Sequence, residues 1–216
     1  MTQAPASRRR AAAGAWLLAA LCLGGPLSAQ AQGPTRAAAT GPRAQELFLT
    51  CAGCHGLDGA GVADGSVPAI AGQYYAVLIK ELKDFRRERR WNISMEQVLY
   101  QRHLTRAEDL AAVAHFVSAL PHQGTGSHGD GAALAAGTRA YFRDCEPCHG
   151  ALGEGSAATL TPRLSGQHYQ YLARQIRNAG DGRRPNMIAT HMRRVRQLSL
   201  DEIQGIADYL SRLNSR

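Results

Sequence analysis

The chain has 216 residues, 44% of them hydrophobic, only 6% aromatic, with 23 glycines, a length that allows one large domain or two small ones. Twenty-five basic against 17 acidic residues give a formal charge of +8. The basic residues are not interleaved with aromatics, so the charge points to no nucleic acid and suits either an acidic protein partner or simple solubility.

In chain order the first element is an address. Arg8, Arg9 and Arg10 precede an apolar stretch from Ala11 to Leu23, and small residues follow at Ser28, Ala29 and Ala31. This is the pattern of a signal peptide over 1–31, cleaved after Ala29 or Ala31, and it predicts export to the periplasm. Gly24, Gly25 and Pro26 break the stretch, which falls short of the ~20 apolar residues a spanning helix needs. Ser7-Arg8-Arg9 resembles a twin-arginine signal, and Cys22 a lipidation site. Leu21 is too bulky for lipidation at Cys22, so that reading is rejected. Loss of 1–31 removes three arginines, leaving 22 basic and 17 acidic residues, a charge of +5, and four cysteines.

Those four carry an internal repeat with a spacing of 94 residues: Cys51-Ala-Gly-Cys54-His55-Gly56 matches Cys145-Glu-Pro-Cys148-His149-Gly150. The same offset pairs Gly59 with Gly153, Gly61 with Gly155, Pro68 with Pro162, Gly72-Gln73 with Gly166-Gln167, and Arg89-Arg90 with Arg183-Arg184. Register kept over that length is the mark of a duplicated domain. The first copy is assigned to 41–120 and the second to 132–216. Between them, 121–131 is rich in Gly, Pro and Ser and reads as an exposed linker, with His122 and His128 solvated.

Each copy reads as helical, and the fold class as all-α. Arg43 to Thr50 and Leu134 to Arg143 are short helices entering the cysteine motif. Tyr75, Leu78, Ile79, Leu82 and Phe85 form a helical stripe over Tyr74 to Arg86, answered by Tyr169, Leu172 and Ile176. The closing helices start at capping boxes, Thr105 with Glu108 and Ser199 with Glu202. The Gly-rich loops from Gly56 to Gly72 and from Gly150 to Gly166 show no strand alternation. Domains of about 80 residues are near the size at which a core alone is marginal, so a bound cofactor would supply missing apolar surface.

Cys-x-x-Cys-His is the haem c attachment signature. Two thiols one helical turn apart can add to the two vinyl groups on one haem edge, and the adjacent imidazole then meets the iron. A redox dithiol or half a zinc site is the competing reading of one such motif; two, in matching repeats behind a signal peptide, leave no cysteine over. Two haem c groups are expected, attached through Cys51, Cys54, Cys145 and Cys148, with His55 and His149 as axial ligands.

With these motifs the chain resembles the dihaem cytochromes c of the cytochrome c-four family, two class I cytochrome domains in tandem. The resemblance also rests on Pro68-Ala-Ile-Ala-Gly-Gln73, Pro162-Arg-Leu-Ser-Gly-Gln167, and the closing helices at Leu104-Thr105 and Leu198-Ser199. It implies that Pro68 and Pro162 offer the carbonyls that orient the two histidines. It also implies a methionine as sixth ligand in the loop before each closing helix. Met95 is the choice in the first copy, with His103 its rival. The second copy offers Met192, nearer the helix, and Met187 as second choice by alignment on the arginine pairs, with His191 behind them. Histidine–methionine ligation suits an electron carrier, because a filled sixth site leaves no room for peroxide or oxygen.

The function expected is therefore a periplasmic electron carrier, not an enzyme, working as a monomer with peripheral membrane association left open. Its donor would be a quinol-oxidising complex or a dehydrogenase, and its acceptor a terminal oxidase. The alternatives are a dihaem enzyme of the peroxidase or thiosulfate dehydrogenase type, needing one displaceable ligand, and a haem-bearing subunit fixed to a dehydrogenase. The resemblance implies that the two domains pack with their haem edges facing.

Overall fold

The computed structural model describes residues 41–101 and 104–213. The signal-peptide reading over 1–31, Cys22 and the rival ligand His103 lie outside the described residues. Among the described residues the chain is helical, with one isolated bridge between Ser156 and Thr161 and no named strand.

The first domain contains α1 (Pro42–His55), α2 (Tyr75–Arg86), α3 (Ile93–Gln101) and α4 (Ala107–Ala119). Its core gathers Phe48, Phe85, Leu99, Leu104, Leu110, Val113 and Val117. Phe48 of α1 meets Phe116 of α4 with ring centroids 5.0 Å apart. The second domain repeats the plan with α5 (Leu134–Asp144), α6 (Glu146–His149), α7 (Tyr169–Gly180), α8 (Ala189–Val195) and α9 (Leu200–Arg212). Tyr141, Leu172, Ile206 and Leu210 lie at its centre. Here α5 and α9 cross so closely that a Cβ on Gly137 would fall on the Gly205 backbone, so the crossing requires glycine.

Two differences between the copies follow from single residues. Helix α1 runs unbroken through Cys51 and Cys54, whereas the second copy is interrupted at Cys145, where Pro147 stands in the first turn of α6. Proline has no amide proton to continue the α5 ladder, so the helix restarts. The Ser199–Glu202 capping box at α9 is present in both directions. Its expected counterpart at Thr105 is not: α4 starts one residue later, with Arg106 at the N-cap and no side-chain cap bond. Two short helices, α3 and α8, were not legible as such. The first is capped by Asn92, whose Oδ1 accepts from the Met95 amide at 3.0 Å.

The connection between the domains is not simply solvated. His122 is half-buried, its Nδ1 3.2 Å from the Ala71 carbonyl and its Nε2 buried without a partner. The Gly129 and Gly131 amides donate to Asp208 at 3.0 and 2.9 Å. His128 is exposed, as expected. The segment is held because its amides have carboxylate and carbonyl partners on the second domain, at Asp208 and Gly166, while the His122 ring meets the first.

The domains meet through their Gly-rich loops and through α2 and α7. Tyr74 donates to the Glu154 carbonyl at 2.9 Å, and at the equivalent place His168 Nε2 donates to the Ala60 carbonyl at 2.8 Å. Beside this pseudo-twofold pair lies an asymmetric charge cluster. Glu81 accepts from Arg90 of its own domain at 2.7 Å and from Arg184 of the other at 3.3 Å. Asn186 also donates to Glu81, at 3.0 Å. The second copy has Gln175 at the position of Glu81, so one carboxylate serves two buried arginines. Burial alone would raise the Glu81 carboxyl, but Arg90, Arg184 and Lys80 outweigh it and hold the pKa down to about 2.

A carboxyl depressed in the folded state stabilises fully above its unfolded value and loses that contribution as pH falls through the folded value. The seam should therefore weaken between about pH 4.5 and about 2. Glu81→Gln leaves two buried arginines facing each other and should cost about 3–5 kcal/mol. Denaturant unfolding of the holoprotein against pH checks both: the variant should start lower and lose less on acidification.

Candidate haem sites

Each site starts from a histidine at the end of a helix. His55 closes α1 and His149 closes α6, and both side chains are buried, at 6% and 8% exposure. His55 Nδ1 lies 2.9 Å from the Pro68 carbonyl, and His149 Nδ1 lies 3.2 Å from the Pro162 carbonyl. A carbonyl only accepts, so Nδ1 carries the proton in both rings and Nε2 keeps its lone pair. Burial lowers the pKa of both imidazoles against the opposing pull of the carbonyl bonds, that of His149 to about 4. The rings are thus neutral, oriented and ready to ligate at Nε2.

The loops that bring the prolines into place turn on glycine. Gly61 and Gly155 donate to the His55 and His149 carbonyls, each at 2.8 Å, closing the loop back on the helix end. Both have positive φ, +76° and +67°, and a Cβ on Gly61 would stand 2.5 Å from the Pro68 carbonyl carbon. The fold therefore requires glycine opposite the carbonyl that holds each histidine.

The cysteines flank these rings. Cys51 and Cys145 are half-buried against the two cores, and Cys54 and Cys148 are exposed. Burial pushes the Cys51 thiol up to about 11 and the Cys145 thiol up to about 12, with Cys54 and Asp144 adding to the rise. One half-buried and one exposed thiol, a turn apart beside a neutral imidazole, are the set that covalent haem needs, and the residues fit that group.

Of the methionines, Met95 lies on the inner face of α3 with Val98 and Leu99, packed on the first core. Met187 precedes α8 and packs against the second core. Met192 is half-buried on α8, three residues before buried Val195, the spacing by which Met95 precedes Val98. The neighbouring His191 ring stands with its centroid 6.3 Å from that of His149. Sequence patterning missed α3 and α8, although Asn92, four residues before Glu96, was a readable start signal for α3.

An all-helical tandem in which each half presents two cysteines and a carbonyl-held histidine defines a c-type haem protein with two binding domains. The cytochrome c family profile matches residues 42–121 and again 134–214. A thiosulfate dehydrogenase electron acceptor from Stutzerimonas stutzeri is 32% identical over 185 residues, covering 80% of this chain and 83% of the relative. Cytochrome c4 of Azotobacter vinelandii is 30% identical over 201 residues, covering 84% and 93%. The crystal structure of reduced recombinant cytochrome c4 from Pseudomonas stutzeri matches with a TM-score of 0.69 at 27% identity, over 79% of this chain and 96% of that one. A thiosulfate dehydrogenase from Marichromatium purpuratum gives 0.68 at 26% identity, over 80% of this chain and 40% of that one. The chain belongs to the cytochrome c family as a dihaem protein of the cytochrome c4 type, and it binds two haem c groups.

Mass spectrometry of the holoprotein should find two haem masses per chain and no titratable thiol. Gly61→Ala should displace the Pro68 carbonyl at a cost of about 1–3 kcal/mol from backbone strain alone. It should lower haem incorporation in the first domain only, read by peptide mapping of the haem-bearing fragments.

Proposed function

We propose that the protein is an exported electron carrier in which 1–31 is the removed signal, 41–120 and 132–216 are the two redox domains, and the periplasm is the working compartment. Cys51, Cys54, Cys145 and Cys148 attach the haems. His55 and His149 are the proximal ligands, oriented by Pro68 and Pro162. Met95 is the distal ligand in the first domain and Met192 in the second. What supports Met192 over Met187 is its place on the short helix α8, three residues before Val195 as Met95 on α3 is three before Val98, whereas Met187 precedes the helix. The position of the His191 ring keeps that residue as the rival in the second site.

Bound haem supplies a one-electron couple. The chain's own part is to hold each imidazole neutral at Nδ1–H, to fill the sixth position, and to keep the two domains in contact. The observation that carries the carrier reading is the seam, where the loops supporting the two histidines meet directly. An electron delivered to one domain thus has a short path to the other. The donor is a dehydrogenase or a quinol-oxidising complex, and the acceptor a terminal oxidase. Likeness to a protein named as the electron acceptor of thiosulfate dehydrogenase supports a dehydrogenase as donor.

Mixing the oxidised protein with thiosulfate and a thiosulfate dehydrogenase should reduce both haems, and a terminal oxidase should reoxidise them. Turnover of thiosulfate or peroxide by the protein alone would instead make it an enzyme. Met95→Ala and Met192→Ala should each open one iron to carbon monoxide or cyanide, abolish that haem's near-infrared methionine band and lower its potential, while Met187→Ala should not. If His191→Ala opens the second iron and Met192→Ala leaves it closed, the second site is ligated by two histidines.

A further inference from the structure

The seam is held by two glutamines that exchange places. Gln167 of the second domain accepts from the Ala69 amide at 3.0 Å and donates to the Ala69 carbonyl at 2.8 Å. Gln73 of the first domain accepts from the Arg163 amide at 3.0 Å and donates to the Arg163 carbonyl at 3.0 Å. Both glutamines are half-buried, and each Oε1 also accepts from the next residue of its own chain segment, Tyr74 or His168, at 3.0 Å.

Ala69 and Arg163 are the residues directly after Pro68 and Pro162. The amide that Gln167 grips and the carbonyl that accepts from His55 therefore belong to one peptide unit. The same holds for Gln73, the Pro162–Arg163 peptide and His149. A peptide unit is conjugated through its C–N bond, so a hydrogen bond accepted from its N–H moves density onto its oxygen. The oxygen then becomes a stronger acceptor, the cooperative behaviour of hydrogen-bond chains. Two continuous relays result: His55 Nδ1–H to Pro68 oxygen, through the peptide, to Gln167; and His149 Nδ1–H to Pro162 oxygen, through the peptide, to Gln73.

From this geometry we infer that the two haem sites are tuned crosswise: Gln167 of the second domain sets the ligand histidine of the first, and Gln73 of the first sets that of the second. The inference rests on the proposed roles of His55 and His149 as iron ligands. A more strongly held Nδ1–H makes the imidazole a more basic ligand. Such a ligand favours the ferric state and lowers the potential, since bonds beyond the ligand shell are one of the protein's levers on the iron. Gln73 and Gln167 are positioning residues that touch neither ring. Docking of the domains is then part of each haem's electronic environment, with each glutamine acting on the site of the opposite domain.

The test is a potentiometric titration of the holoprotein, with each haem assigned by its paramagnetic NMR methyl signals. Gln167→Leu should raise the potential of the first-domain haem and leave the second in place; Gln73→Leu should do the reverse. The ligand histidine's Nδ1–H resonance should move in the domain opposite the substitution, a signature that loss of packing alone would not give. Gln167→Glu keeps the acceptor and adds negative charge, so it should lower the potential, chiefly at the first-domain haem. It also guards against a leucine variant that fails to dock. Shifts confined to the glutamine's own domain, equal shifts in both haems, or no shift overturn the inference. The ligand reading is judged separately on the parent protein: if His55→Gly or His149→Gly leaves the iron spectra of its domain unchanged, that reading has failed and not the crossed relay.

Discussion

Everything in this fold serves one hydrogen bond made twice, from a buried histidine Nδ1–H to a proline carbonyl. A lone imidazole at the end of a helix could rotate, protonate or swing into water. Here burial holds it neutral, and the carbonyl fixes which nitrogen carries the proton. The demand then spreads outward. The carbonyl must arrive from a loop returning over 13 residues, the loop must close on the helix end, and closing it so tightly leaves room only for glycine at 61 and 155. Helices α1 with α4, and α5 with α9, form the packed corner beside which each histidine is held, His55 at the end of α1 and His149 at the end of α6.

Duplication made that arrangement into a pair and set its interface. Loops that would leave amides and carbonyls to water in a single domain are packed against each other here, and those groups find side-chain partners across the seam. Tyr74 with Glu154 and His168 with Ala60, then Gln73 with Arg163 and Gln167 with Ala69, are the same contacts read in two directions. Such a seam is specific because each of these side chains must meet a backbone group at a fixed position in the opposite domain. Where the copies diverge, the symmetry breaks: Glu81 without a carboxylate partner at Gln175 leaves two arginines sharing one charge.

The helix ends show how far a local signal can be trusted. The Ser199–Glu202 box formed as the pattern reads: Glu202 takes Arg143 on Oε1 at 2.9 Å and still accepts from the Ser199 amide on Oε2 at 2.9 Å. The Thr105–Glu108 pattern is just as good on paper. There the chain turns one residue later and Arg106 takes Glu108 at 3.3 Å instead. The helices α3 and α8 escaped notice for another reason. Trp91, Ile93, Tyr100 and Ile188 are apolar but exposed, so the hydrophobic stripe that marks a buried face was blurred by residues on the other side.

The sequence by itself determined what is covalent or periodic: two Cys-x-x-Cys-His motifs, their repeat at 94 residues and the all-helical class. Those signals are legible because a thiol spacing or a repeat register is written directly in the order of the residues. The pairing of each proline with its histidine was only what the resemblance implied until the structure placed the two within hydrogen-bond reach. Tertiary structure decided what depends on distance between parts far apart in the chain. It placed His122 against Ala71 where a Gly-rich linker looked solvated. It brought Gln167 to a peptide 98 residues earlier, and Arg184 to a carboxylate 103 residues earlier. No local pattern encodes such meetings, because a glutamine or arginine reads the same in sequence whether it faces water or a second domain, and only packing supplies the partner that gives it a role.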